Sequence, residues 1–232
     1  MKKLVVPKSE KWPAGWSYSS WGMFKKCLYL YYHARILGMK DTSPNIHMER
    51  GIKEHKTAEQ YLKGNVTKLP KQFDSFRIDY TNLKRASPIV EQFWGVDPNW
   101  KPVNFNSWAV MKMDAAVAPS RITDGGLFIQ DLKTGREYPD HIDQGEIYSA
   151  IGMALFPMAE FVEASFWYMD QGYAVTHTFD RAYIKFARRK WTERGRDVMS
   201  RRTKWPATPS RDNCKYCFLR ADRGGPCKKF ED

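Results

Sequence analysis

No stretch of about 18 consecutive apolar residues, the length a membrane-spanning helix requires, occurs in the 232-residue chain. The opening Met1-Lys2-Lys3-Leu4-Val5-Val6-Pro7 is basic, but its apolar run is only three residues long. That is too short for the core of a secretory signal. The expectation is a soluble, intracellular, cytoplasmic protein with no membrane partner. Acidic residues are also in short supply, 26 Asp and Glu against 38 Lys and Arg, for a formal charge of +12. Such an excess attracts polyanions and releases their counterions, which makes nucleic acid the first candidate partner. Cysteine is scarce: Cys27, Cys214, Cys217 and Cys227 are the full set. In a reducing compartment disulfides are the less expected use of them. Cys214 and Cys217 form Cys-x-x-Cys and Cys227 follows in the same tail, a pattern that suggests a metal or iron–sulfur site. Internal repeats and low-complexity runs are absent as well.

What the chain does have is 42% apolar and 15% aromatic residues, enough to bury a sizeable core. Ser17 or Ser19 can cap a helix running to about Leu37, with Gly38 as its stop. A second helix is expected from about Asn45 to Leu62, ended by Gly64, and a third over Phe73 to Trp94, before Pro98 and Pro102 break the chain. Ser107–Val117 and Gly126–Leu132 read as strands joined by a turn at Asp124-Gly125-Gly126. Pro139–Phe156 reads as a helix. Glu163–Asp170 and Tyr173–Phe179 read as a hairpin around Gln171-Gly172. Arg181 to about Arg202 is a basic helix, and Pro206 and Pro209 introduce a loop-rich tail. This order predicts one α/β domain with a central mixed sheet.

The chemistry centres on Asp131-Leu132-Lys133. Strand alternation puts Asp131 and Lys133 on one face and Leu132 on the other. If the preceding strand pairs with it, Asp114 can converge with Asp131 on one divalent ion, with Lys133 alongside. Hard carboxylate oxygens suit Mg²⁺ or Mn²⁺, and a neighbouring ammonium can stabilise the charge that develops in phosphodiester cleavage. An isolated Asp-x-Lys is common, so its weight depends on its company. His55 lies on a helix one turn after Gly51, a glycine that allows close approach, and offers a nitrogen ligand. Gln144 and Tyr148 are four apart on the following helix and share a face.

Together, Gly51-x-x-x-His55, Asp114, Asp131-x-Lys133 and Gln144-x-x-x-Tyr148 resemble the RecB-type branch of the PD-(D/E)XK nuclease superfamily. The opening Tyr18-Ser19-Ser20-Trp21, followed by Cys27 and a run of aromatics, is similar to that family's first helix. One early and three late cysteines resemble its iron–sulfur members, such as the CRISPR-adaptation and AddB-like nucleases. The family's frequent glycine three residues before the first aspartate is Met111 here, and Leu28 stands where proline often follows the early cysteine. The resemblance runs from about residue 17 to 230. It implies a restriction-endonuclease-like core over 17–205, an arm over 1–16, and a cysteine-rich tail over 206–232 packed on the first helix, together a single nuclease domain. It implies that His55, Asp114, Asp131 and the Leu132 carbonyl hold the metal, that Lys133 is the catalytic lysine, and that Gln144 and Tyr148 support the site and DNA binding. For Cys27, Cys214, Cys217 and Cys227 it favours a [4Fe–4S] cluster, with structural Zn²⁺ as the alternative.

The basic helix carries Lys185, Arg188 and Arg189, expected to bind DNA, while Trp191 and Trp205 lie among the cations and can stack on unpaired bases. The function expected is a Mg²⁺- or Mn²⁺-dependent deoxyribonuclease. It would be an exonuclease acting at ends or on single strands in recombination, repair or processing, with a recombination or annealing protein as a candidate partner. The alternative is a non-catalytic nucleic-acid-binding module with a metal-stapled tail. Oligomeric state is left open.

Overall fold

Residues 4–5, 9–43, 45–121 and 124–230 are described by the structure, a computed structural model. The chain divides into two units, Met1–Pro44 with Glu193–Asp232, and Asn45–Thr192.

In the first unit, Ser17 opens helix α1 (Tyr18–Lys26) with a reciprocal cap: its hydroxyl accepts from the Ser20 N–H, and the Ser20 hydroxyl accepts from the Ser17 N–H at 2.8 Å. This satisfies two of the donors a helix start leaves free. The helix expected to continue to Leu37 is instead interrupted at Cys27, whose backbone is extended (φ −164°, ψ 118°). It resumes as α2 (Leu28–Tyr31) and one π turn over Tyr32–Ile36, and Gly38 then turns the chain at φ 65°. The break is supported from the far end of the sequence. The Asn213 amide donates to the Lys26 carbonyl at 3.0 Å, and the Tyr29 N–H donates to the Pro206 carbonyl at 3.2 Å. A short pairing of β1 (Leu4–Val5) with β2 (Lys40–Asp41) and the helical turn α7 (Arg211–Cys214) complete this unit.

The second unit holds a five-stranded sheet. Asn45 caps α3 (Ile46–Leu62) by accepting from His47 and Met48 N–H groups. The helix expected over Phe73–Trp94 is a correction: a 3₁₀ stretch (Lys71–Phe76) leads into α4 (Arg77–Arg85), and the rest is strand β3 (Ile89–Val96). Ser87 precedes Pro88 and takes φ 50°, and a residue before proline is disfavoured in helical backbone. β4 (Ala109–Val117), β5 (Leu127–Lys133), helix α5 (His141–Leu155), β6 (Phe161–Tyr168), β7 (Tyr173–Asp180) and helix α6 (Arg181–Met199) follow near their expected places. Strand order is β3-β4-β5-β6-β7, antiparallel except for the β5–β6 pair. That parallel pair requires a crossover, which α5 supplies.

The alternation of β5 divides its side chains between two cores. Leu132 joins a cluster with Tyr80, Leu83 and Trp167 under α4. Ile129 and Leu127 meet α5, where a Cβ on Gly152 would come within 2.7 Å of Leu127. Asp131 and Lys133, in phase with Leu127 and Ile129, therefore point toward the α5 side.

Candidate active site

The β4–β5 ladder pairs Val117 with Phe128, Ala116 with Ile129 and Ala115 with Gln130, and there it stops. Asp114 and Asp131 occupy the next positions, where the strands part. The Leu132 N–H donates to Asp114 Oδ2 at 2.6 Å instead of to a strand. A strand residue's N–H and C=O point the same way, so the Leu132 carbonyl also faces this gap.

Side chains from α5 fill it. Gln144 donates through Nε2 to Asp131 Oδ1 (3.1 Å) and to the Tyr148 hydroxyl (2.9 Å), and its Oε1 accepts from Lys133 Nζ (2.8 Å). The Tyr148 hydroxyl lies 2.9 Å from the Lys112 carbonyl on β4 and 3.3 Å from Asp131 Oδ1 on β5. Burial, and next the Asp131 charge, push the Tyr148 phenol well up, so it keeps its proton for donation. Lys133 Nζ sits 2.6 Å from Asp131 Oδ2 and 5.3 Å from the Phe166 ring centroid. An ammonium with these partners has a fixed position.

His55 reaches the opposite side of Asp114, Nδ1 to Oδ1 at 2.8 Å. Its helix comes close because Gly51 has no side chain: a Cβ there would meet Thr134 Oγ1 at 3.1 Å. Burial alone would lower His55, but the Asp114 hydrogen bond and the charges of Asp114, Asp131 and Glu91 outweigh it and raise it. Burial likewise pushes the Asp114 carboxyl up, and the Asp131 charge adds to this against the pull of His55. Positive charge is therefore favoured where these groups converge.

Among the described residues, His55, Glu91 and Asp114 bring one ligand atom each within 4.8 Å of one another. The sequence reading missed Glu91 because it lay inside the expected third helix. On β3, Glu91 falls opposite Asp114 but drops out of the ladder between the Val90↔Ala115 and Gln92↔Met113 pairs. It takes a left-handed backbone (φ 54°) and forms an ion pair with Lys112. A non-glycine residue held at positive φ is strained, and such strain concentrates at functional sites. Asp131 is outside the three-residue set, and its oxygens are engaged by Lys133, Gln144 and Tyr148. One nitrogen and the carboxylates of Glu91 and Asp114 are a donor set that fits a hard divalent ion.

A cleft of about 450 Å³ opens over this ground and is lined by His55, Lys112, Asp114, Asp131 and Lys133, then by Arg136, Tyr138 and His141. Lys185, Arg188 and Arg189 are not among its lining residues. Lys185 and Arg189 are exposed on α6, whereas Arg188 donates to the Ala150 carbonyl and lies over the Trp100 ring. Trp191, expected to be able to stack on bases, is fully buried and donates to Glu146; this corrects the reading. Trp205 is half-buried and stacks on Tyr31 and Tyr32.

In the other unit, all four cysteines line one small pocket, none in a disulfide. The Thr208 N–H donates to Cys27 Sγ at 3.4 Å. Burial pushes the Cys217 thiol up, and the other three cysteines raise it further. Cysteine thiolates are the residue type that suits zinc or an iron–sulfur cluster.

An α/β unit whose sheet opens at two aspartates beside a lysine and a histidine has the parts of a metal-dependent nuclease. The chain belongs to the PD-(D/E)XK nuclease superfamily, whose sequence profile matches residues 15–221. Proteins of this superfamily are generally nucleases that use divalent metal ions. No curated protein matches the chain. Among solved structures it is similar to one described as the crystal structure of SSO0001, at 13% identity and a TM-score of 0.31, with 74% of this chain and 95% of that chain covered.

Proposed function

We propose that the protein is a deoxyribonuclease, acting as an exonuclease at DNA ends or on single strands in recombination, repair or processing. The observation that carries the hydrolytic part is the meeting of Asp114, Asp131 and Lys133 where β4 and β5 separate. His55, Asp114, Glu91, Asp131 and the Leu132 carbonyl would hold Mg²⁺ or Mn²⁺. Such an ion polarises a phosphoryl oxygen and lowers the pKa of bound water. The chain's own part is positional and electrostatic. Lys133 holds an ammonium beside the phosphate, where it offsets developing negative charge. Gln144 fixes Lys133 and Asp131 at once, and Tyr148 keeps the two strands at their separation. Lys112 and Arg136 add positive charge to the cleft wall, and exposed Lys185 and Arg189 add to the attraction of DNA from α6.

The cysteines support a structural reading. A [4Fe–4S] cluster, or Zn²⁺, on Cys27, Cys214, Cys217 and Cys227 would close a long loop and tie the tail to the break after α1.

The deciding experiment uses end-labelled linear DNA and closed circular DNA, single- and double-stranded, with and without Mg²⁺ or Mn²⁺. Release of label from linear DNA alone supports an exonuclease. Nicking of the circle would move the reading to an endonuclease. No cleavage of any DNA with either metal would leave a nucleic-acid-binding module.

A further inference from the structure

The cleft over Asp131 and Lys133 has a wall made of Arg136, Tyr138 and His141, of which Tyr138 and His141 have no part in the proposed hydrolysis. His141 is the first residue of α5. Its ring lies nearly parallel to those of Phe166 (5.7 Å, 25°) and Tyr168 (5.6 Å, 22°). It meets Tyr138 edge-on at 5.6 Å. Its Nδ1 stands 2.5 Å from the Tyr168 hydroxyl. Burial, and next the Glu137 charge, push Tyr168 up to about 12, so this phenol keeps its proton. Burial and then Lys133 hold His141 below the ordinary imidazole range. The imidazole is therefore an uncharged ring, fixed in plane by two aromatic neighbours and one hydrogen bond.

Tyr138 completes the wall. It is 46% exposed, and the Arg136 guanidinium lies 4.8 Å over its ring. Exposed aromatic surface next to cations, at the place where a phosphodiester would be cut, has a specific chemical match. A nucleobase offers a π-face for stacking while its phosphate stays among the positive groups. A base inside a duplex has both faces covered by its neighbours, so there it must be unpaired before it can use such a wall.

The geometry points to a subsite for one unpaired nucleobase, formed by Tyr138 and His141 with Arg136, next to the phosphate position at Asp131 and Lys133. This rests on the nuclease reading above and narrows its substrate to single-stranded or frayed DNA. Phe166 and Tyr168 are positioning residues that hold His141.

The test is a series of single-stranded oligonucleotides in which 2-aminopurine, a base that loses fluorescence on stacking, occupies each position in turn. Binding is followed with Ca²⁺ in place of Mg²⁺, beside a blunt duplex of the same sequence. We expect quenching at one position. Tyr138→Ala should weaken single-strand binding about tenfold, near the low end of what stacking one base is worth, and leave duplex binding unchanged. Tyr138→Phe keeps the ring and should bind as the parent does. No quenching at any position, or an equal loss for both DNA forms in Tyr138→Ala, overturns the subsite. Cleavage by the parent protein with Mg²⁺ or Mn²⁺ reads the nuclease assignment separately. If DNA is cut without a position-specific response, the subsite alone fails; if one position is quenched but no DNA is cut, the nuclease reading alone fails.

Discussion

The Leu132 backbone N–H donates to the Asp114 carboxylate at 2.6 Å, just beyond the last rung of the β4–β5 ladder. A side chain on one strand thus replaces a main-chain partner on the other. The bond keeps β4 and β5 in register while letting them diverge, and it aims the Leu132 carbonyl and both aspartates into the same space. Anything that changes Asp114 therefore changes strand geometry as well as charge.

Lys133→Ala should leave the fold intact and reduce cleavage by about 10²–10³-fold, the range for loss of one preorganised electrostatic group. Rate on labelled DNA and far-UV circular dichroism check the two halves of this expectation. Full activity in the variant would remove Lys133 from the mechanism.

Glu91→Gln tests the residue hidden in the sequence. The substitution removes one anionic donor from the set with His55 and Asp114. Mn²⁺ affinity, measured by calorimetry, should fall at least about tenfold, as it does for losses around metal sites generally. Unchanged affinity would place Glu91 outside the metal's reach and leave it as the partner of Lys112.

Tyr148→Phe deletes a buried hydroxyl that joins α5 to both strands and leaves the Gln144 amide with one partner fewer. A destabilisation of about 1–3 kcal/mol is expected, read from urea unfolding. Cleavage at saturating metal should also drop, because Asp131 loses a hydrogen-bond partner. A variant as stable as the parent would show that the hydroxyl is not holding the strands.

A pH dependence follows from the same cluster. His55 lies above its ordinary 6.5 and Asp114 above its ordinary 3.8 in the fold. A raised value means that the folded chain holds more protons than the unfolded chain over that interval, so stability falls as pH rises through it. In the metal-free protein the His55 contribution is complete below about 6.5 and is lost as pH climbs through its raised folded value. Asp114 acts with the same sign at lower pH, starting near its unfolded value. Metal binding needs both groups deprotonated. Titrating Mn²⁺ into weakly buffered protein should therefore release protons, with affinity rising with pH across the His55 range. A pH-independent affinity would contradict the arrangement.

For the tail, protein purified without oxygen should carry iron and visible absorbance if the four thiolates hold a cluster, and stoichiometric zinc without colour if they hold Zn²⁺. Cys27→Ser should lose the metal in either case and lower the melting temperature, because the break after α1 is then tied to the tail by hydrogen bonds and apolar packing alone. A metal-free parent as stable as the loaded one would show that the thiols staple nothing.

Much of this was legible in the residues themselves. Period-two alternation places Asp131 and Lys133 together and Leu132 opposite, and the structure sends them to the α5 side and to the α4 core. Four-residue spacing pairs Gln144 with Tyr148, and both reach Asp131. Gly51 marks the close approach that brings α3 to Thr134. These signals are local: they depend on backbone period and on a missing Cβ, which neighbours along the chain reveal. Tertiary structure alone decided the rest. Glu91 enters the site because β3 pairs with β4 in a register that sets it opposite Asp114. Asp131 and Lys133 share a partner because α5 brings Gln144 within reach of both. The first helix breaks at Cys27 because Asn213 and Pro206, nearly two hundred residues on, take up its backbone groups. Trp191 lies in the core because a buried carboxylate, Glu146, receives its N–H. In each case the deciding partner is distant in sequence, and only strand register and helix packing bring it within hydrogen-bond range.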